Sequence, residues 1–237
     1  MYAVDLHAHT RFFHGHRDLG DRFDPFGHRA LAAAARLRGI DGVATTNHDY
    51  YTAFPDVAGV ASIPGIEITT SHGHVVVVGA DPPTETDPGA LTPAEAVERA
   101  HDRGCVAVVA HPYRNSTVRD VEDVPFDAIE VNGKHPRTRA WVERLAEERG
   151  LPIVGGSDAH YPIEVGRAYT LVDADRLTPG SVVDAIRSGD VSVRVSQQFP
   201  HRLMRGVYER VHGRKKQLDR PTGATPGVGA PPDEDDE

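Results

Sequence analysis

Five apolar stretches of this chain each lead into a residue that can bind a metal ion, and that recurrence limits the fold more than any other feature. Tyr2–Leu6 delivers His7 and His9. Ile40–Thr46 ends in Asn47-His48-Asp49, and Ala61–Thr69 carries Glu67 near its end. Cys105–Ala110 runs into His111, and Ile153–Gly156 into Ser157-Asp158-Ala159-His160. His74 directly opens a sixth apolar run, Val75–Val78. Side chains two apart on a strand point the same way, so His7 and His9 face one point. A same-face imidazole pair is half a metal site.

The apolar runs alternate with helical stretches. Residues 27–38 are rich in Ala and Leu and stop at Gly39. Thr92-Pro93-Ala94-Glu95 is a helix start, with Thr as cap, Pro in the first turn and Glu closing a capping box. Further helices are expected over 136–149 and from Thr178-Pro179 to about Gly189, with strands at 126–131, 167–172 and 191–195. Residues 10–26 read as a loop and 199–212 as a terminal helix. Strand, helix, strand with apolar strands buried on both faces predicts a parallel α/β architecture. In such folds the C-terminal ends of the strands carry the site, and donors from this many strands converge best in a closed ring.

The donor set is His7, His9, His14, His48, Glu67, His74, His111, Asp158 and His160. One ion in a site of this type takes about four protein ligands, so nine suit two or three ions. Glu67 is the natural bridge, because a carboxylate offers two oxygens where an imidazole offers one free nitrogen. The histidine-rich set favours Zn, Mn or Fe over Mg or Ca. His74 is preferred to His72, since it begins a strand and is rigidly aimed, whereas His72 lies in a turn. Arg114, three residues beyond His111, has the planar fork that grips phosphate; Arg11 and Arg167 are weaker candidates, and Asn132 is a possible polar contact.

Length and composition set the remaining bounds. The 237 residues suffice for one large domain, expected over 1–212, and the Pro/Gly-rich, acidic end reads as a tail from 213, disordered from about 221. The formal charge is −9 and the lysines are Lys134, Lys215 and Lys216 alone. Such a surface lacks the positive field that duplex nucleic acid requires. No apolar run spans a membrane and no signal sequence opens the chain, so a cytoplasmic protein is expected. The single cysteine, Cys105, excludes a disulfide framework and reads as a core residue. The oligomeric state is left open.

Taken together, these motifs resemble the PHP superfamily, the polymerase and histidinol phosphatase group. Asp5-Leu6-His7-Ala8-His9-Thr10 is similar to its first motif and Asn47-His48-Asp49 to its second, with Asn where relatives more often have Asp. Gly65-Ile66-Glu67 with Gly73-His74, then Ala110-His111-Pro112, then Gly156-Ser157-Asp158-Ala159-His160 complete the series over about residues 1–195. The resemblance implies a distorted (β/α)7 barrel of the PHP type and a trinuclear metal cluster. Carried over by position, one ion would take His7, His9, Glu67 and Asp158. A second would share Glu67 and add His74 and His111; a third would take His14, His48 and His160. His14 stands where many relatives have Asp.

The expectation is a metal-dependent phosphoesterase that hydrolyses a small phosphomonoester, histidinol-phosphate-like or nucleotide-like, with a metal-activated water. Asp158, His160, Arg114 and Asp49 are the residues expected at the reaction, with His160, Asp49 and His72 as candidate proton donors. Rival readings are an exonuclease on the same cluster, an amidohydrolase-type deaminase, and a metal-bound module without catalysis.

Overall fold

The computed structural model describes residues 1–10, 20–114 and 116–196. Among the described residues there are nine strands: β1 (Tyr2–Ala8), β2 (Gly42–Thr45), β3 (Ala61–Thr70), β4 (Gly73–Val78), β5 (Val106–Val109), β6 (Ala128–Asn132), β7 (Ile153–Gly156), β8 (Ala168–Val172) and β9 (Val191–Val195). Four α-helices accompany them: α1 (Gly20–Leu37), α2 (Pro93–Asp102), α3 (Arg139–Arg149) and α4 (Pro179–Ser188). His14, Arg11, the expected helix at 199–212 and the tail lie outside the described residues. No helix among the described residues is long and apolar enough to cross a membrane.

The strands form one sheet in the order β7-β6-β5-β4-β3-β2-β1-β8-β9. It is barrel-shaped and nearly closed. Beyond β7, at one end of the order, the chain comes round to β1, where Ala8 bridges Ala159 and the His9 amide donates to the Ala159 carbonyl at 2.8 Å. Inside the ring, Val4, Leu6, Ala44, Ile63, Val76 and Val108 pack with Val182 and Ile186 of α4, which thus contributes to the interior. Outside, α2 and α3 cover Val75, Val77 and Ile129, and α1 covers Val43.

The expectation of a parallel sheet needs correction. β3–β4, β4–β5, β1–β8 and β8–β9 are antiparallel. The physical reason lies in the connection: Ser71-His72 is too short for a crossover, so β4 can only return along β3. Gly73, at φ +128°, makes the turn. The run Val75–Val78 is apolar throughout because two cores cover its faces, which antiparallel strands allow as well as parallel ones. α1 also starts earlier than expected, with Pro25 inside it. Pro25 is the sixth residue of α1, past the first turn, so it removes one backbone hydrogen bond, and the helix nonetheless continues to Leu37. The expected capping box of Thr92 and Glu95 is present.

Two glycines let β7 close the ring. A Cβ on Gly155 would lie 2.7 Å from the Tyr169 carbonyl oxygen, and one on Gly156 would lie 2.4 Å from the His7 Cβ. Without a side chain, Gly155 donates its amide to Thr170 Oγ1 at 2.8 Å. Asp5 supports the same seam. Its buried carboxylate accepts from the amides of Ser157 (2.9 Å) and Gly166 (2.8 Å), while burial pushes its pKa up to about 6. Gly155→Ala should therefore destabilise the fold by about 1–3 kcal/mol, the scale of forcing one methyl into a packed site. The shift of the urea unfolding midpoint measures it; an unshifted midpoint would show that β7 and β8 do not abut here.

Candidate metal centre

The strand ends meet over Glu67, which is fully buried. Five imidazoles face its carboxylate. His74 Nδ1 lies 2.7 Å and His111 Nε2 3.0 Å from Oε1. His7 Nε2, His9 Nε2 and His48 Nδ1 lie 3.1, 3.3 and 3.2 Å from Oε2. Asp158 stands beside them, its Oδ1 3.4 Å from His9 Nε2 and 3.2 Å from His160 Nδ1.

Local structure explains the convergence. The β1–β2 pairing slips between Asp5 and Ala8. Ahead of the slip Val4 and Leu6 join the interior core; beyond it His7 and His9 turn to Glu67, as a bulge re-aims side chains. His74 begins β4 rather than ending a strand. Because β4 is antiparallel, its start lies at the same rim as the ends of β3 and β5. Asp49, His111 and Asp158 have φ of 59°, 28° and 52°. Non-glycine residues held in this region concentrate at functional sites.

Asn47 pins the first motif to the second, accepting from the Thr10 amide at 2.9 Å and donating to Thr10 Oγ1 at 2.8 Å. Asp49, an expected proton donor, is committed elsewhere. It accepts from Thr69 N and Oγ1, both at 2.8 Å, and from Thr86 Oγ1 at 3.0 Å. These bonds tie its loop to β3. His72 is exposed and shares a 2.8 Å hydrogen bond with Ser71, so His74 is the one at Glu67. Arg167 faces the buried Glu164 at 3.3 Å, whose other oxygen accepts from the His160 amide at 2.7 Å. Its place is in supporting His160, not in meeting phosphate. Asn132 lies at its strand end, donating to Glu130 at 3.3 Å and accepting from the Lys134 amide at 2.9 Å. Arg114 does reach the site, with Nη1 2.7 Å from Asp158 Oδ2 and the side chain 32% exposed.

Three site residues were not anticipated. Glu130 accepts from His7 Nδ1 at 2.8 Å and from the His111 amide at 2.7 Å. Lys134 places Nζ 3.0 Å from Asp158 Oδ1 and 2.6 Å from His160 Nδ1. Glu164 holds the backbone of His160. For Lys134 a signal existed: it is the one lysine ahead of residue 215, two positions past the end of β6.

The electrostatics ask for positive charge. Burial alone would raise the pKa of Glu67, yet His48, His7 and His74 hold it well below the carboxylate range. Burial likewise opposes a charged His7, but Glu130 and Glu67 raise its pKa well above the usual value. His9 moves the other way, lowered by burial and by His160. His48 falls to about 4, burial outweighing Glu67. Asp158 is held low against burial, chiefly by Lys134.

The donor set fits divalent ions. His7 Nε2, His9 Nε2, Glu67 Oε2 and His74 Nδ1 are buried without a hydrogen-bond partner, and they point at one another. Buried polar atoms in such a state call for an unplaced ion or water. Four overlapping groups have donor atoms within 4.8 Å of one another: His7/Glu67/His111, His48/Glu67/His74, His7/His9/Asp158 and His9/His48/His160. With Nδ1 on Glu130, His7 keeps Nε2 for a metal, the usual arrangement behind a ligating imidazole. A field that draws a proton to His7 draws a metal ion to the same lone pair.

A family model described as PHP-associated matches residues 137–191. An uncharacterized protein of Methanocaldococcus jannaschii is 26% identical over 148 residues, 56% of this chain and 83% of that protein. The crystal structure of PsfC from Pseudomonas syringae superposes with a TM-score of 0.70 at 22% identity, covering 89% of this chain and 98% of PsfC. A two-domain protein of Bacteroides vulgatus, described as containing a PHP-like metal-dependent phosphoesterase, gives 0.56 at 21% identity over 82% of this chain and 64% of its own. The lesion-specific endonuclease EndoQ of Pyrococcus furiosus gives 0.54 at 18% identity over 81% of this chain and 57% of its own.

Glu130→Ala should weaken divalent-ion binding about 10- to 100-fold, the usual cost of removing the partner behind a ligating histidine. Titration of the metal-free protein with Zn or Mn reads this out. Unchanged affinity would mean that His7 does not bind the ion through Nε2.

Proposed function

We propose that the chain is a PHP-superfamily domain and a metal-dependent phosphoesterase acting on a small phosphomonoester. The observation that carries this reading is Glu67 with histidines gathered at both of its oxygens. His7, His9, His48, Glu67, His74 and His111 would hold two or three divalent ions of the Zn, Mn or Fe class, with Asp158 and His160 at the edge and His14 as a further donor. Bound there, the ions supply Lewis-acid charge at phosphoryl oxygens and make water acidic enough to attack at neutral pH.

The chain's own residues do the rest. Arg114 stands at the rim with its guanidinium on Asp158, where it can reach a terminal phosphate and use two N–H groups on two oxygens. Asp158 orients that guanidinium. With Asp49 bound to Thr69 and Thr86 and His72 to Ser71, His160 is the group best placed to protonate the leaving oxygen. The net charge of −9 and the shortage of lysines offer no basic track for a long polynucleotide, which favours a small substrate over a duplex. EndoQ has been crystallised with a 27-mer duplex carrying an abasic lesion at its active site, so a nuclease activity is the second reading.

A panel of small phosphomonoesters with Mn or Zn should release phosphate. Arg114→Ala should slow turnover about 10²-fold, the scale of losing one transition-state charge contact, with metal content unchanged. Release of ammonia from amides or amino-purines without phosphate release would overturn the phosphoesterase reading. Faster cleavage of DNA than of mononucleotides would put the nuclease in its place.

A further inference from the structure

We propose that Arg119 is the positioning residue for Arg114: it clamps the turn that carries Arg114 and so fixes where that guanidinium stands at the rim of the metal centre. The inference rests on the proposed function, in which Arg114 meets the phosphate, and names the residue on which that contact depends.

After His111 the chain must leave the end of β5 and reach the core outside the ring, where Val118 is buried. A turn of this kind frees carbonyl groups from strand pairing, and each then needs a donor. Arg119, on a 3₁₀ turn over Val118–Asp120, supplies one. Its Nη1 carries two hydrogens and gives them to the Pro112 carbonyl at 2.8 Å and the Ser116 carbonyl at 2.6 Å. These carbonyls stand two residues before and two residues after Arg114. One nitrogen thus draws both ends of the turn together. The Arg114 amide tightens it further, donating to the His111 carbonyl at 2.9 Å.

The clamp is itself braced. The guanidinium carbon of Arg119 lies 5.2 Å from the centre of the Tyr113 ring, within cation–π range. Tyr113 donates its hydroxyl to the Trp141 carbonyl at 3.1 Å, and Arg149 donates to the Arg119 carbonyl. Trp141 and Arg149 lie near the two ends of α3, so that helix holds the turn at two points. On the far side the Thr117 amide donates to the His72 carbonyl at 2.7 Å. Ser116 is fully buried against Gly73, where a Cβ would lie 2.5 Å from its Oγ. The Arg119 side chain is 15% exposed, so water competes little for its bonds.

Arg114 has the opposite character. Its side chain is partly exposed and meets Asp158 Oδ2 at 2.7 Å. An arginine in that state has large rotamer freedom, which a bound phosphate must remove. A backbone fixed beforehand lowers that cost and presents the guanidinium at one reach, which is preorganisation in the sense that favours a transition state. The Pro112 and Ser116 carbonyls and the Tyr113 ring all lie within two residues of Arg114, so the clamp acts where Arg114 is attached.

The test is a double-mutant cycle on metal-loaded protein, read as kcat/KM for a phosphomonoester, with metal content and a thermal melt for each variant. Arg119→Met should lose about 10- to 10²-fold, the scale of a misplaced contact group, with metal content unchanged. Arg119→Lys, whose ammonium can still donate to both carbonyls, should recover part of the loss. In Arg114→Ala the clamp has nothing left to position, so adding Arg119→Met should cost little more. A folded Arg119→Met with wild-type kcat/KM, or losses that multiply in the double variant, would overturn the proposal. If Arg119→Met does not fold, Arg119→Lys carries the same cycle with a smaller loss. Nitrogen relaxation at Arg114 Nε needs no turnover: its fast motion should be restricted in the wild type and increase in the Arg119 variants, and equal motion in all of them sinks the idea. Wild-type protein that hydrolyses no phosphomonoester would overturn the function beneath the proposal, while the relaxation measurement would still judge the clamp.

Discussion

A carboxylate buried among imidazoles is the interaction on which the rest depends. Glu67 has no solvent, and a bare buried charge costs several kcal/mol unless it is compensated. Its neighbours can compensate it only by carrying protons or by sharing metal ions with it. The lone pairs turned inward without hydrogen-bond partners suit the second solution, because protonated imidazoles packed this closely would repel one another. Metal binding and the integrity of this end of the barrel are in this account one question.

The fold is arranged to bring donors to that carboxylate from distant parts of the sequence. A slip in β1 turns two histidines inward, and the antiparallel β4 returns His74 to the rim that β3 has just left. Left-handed backbone at His111 and Asp158 places two further donors at angles a regular strand could not give. Behind the donors stand Glu130, Glu164 and Asp5, each a buried carboxylate that accepts backbone N–H groups from residues beside them. At the closing seam, Gly155 and Gly156 permit the approach of β7 to its neighbours. Rigidity at the strand ends follows from these contacts, and such rigidity holds catalytic geometry without reorganisation during reaction.

Much of this was legible in the sequence, for a physical reason. Donors at strand ends repeat, and repetition separates a site from scattered histidines. His7, His9, His48, Glu67, His74, His111, Asp158 and His160 all reach the cluster. What was not legible lacks repetition. Glu130 reads as a polar interruption of an apolar strand, and Glu164 as an ordinary surface acid; only the closed ring puts them behind His7 and His160. Nor does sequence show the local partners of charged residues near a motif: Asp49 accepts from Thr69 and Thr86, and Arg167 faces Glu164. Strand direction is not legible in an apolar run: Val75–Val78 is apolar because both of its faces are buried, and β4 pairs antiparallel on both sides.

X-ray absorption at the metal edge of Zn-loaded protein tests the central claim most directly. A centre bridged by Glu67 predicts an imidazole-rich shell of nitrogen and oxygen at about 2.0–2.2 Å, with metal–metal scattering at about 3.5–4 Å. Both signals should weaken together in Glu67→Gln. A shell of water oxygens without imidazole scattering, or a spectrum indifferent to Glu67, would contradict the account.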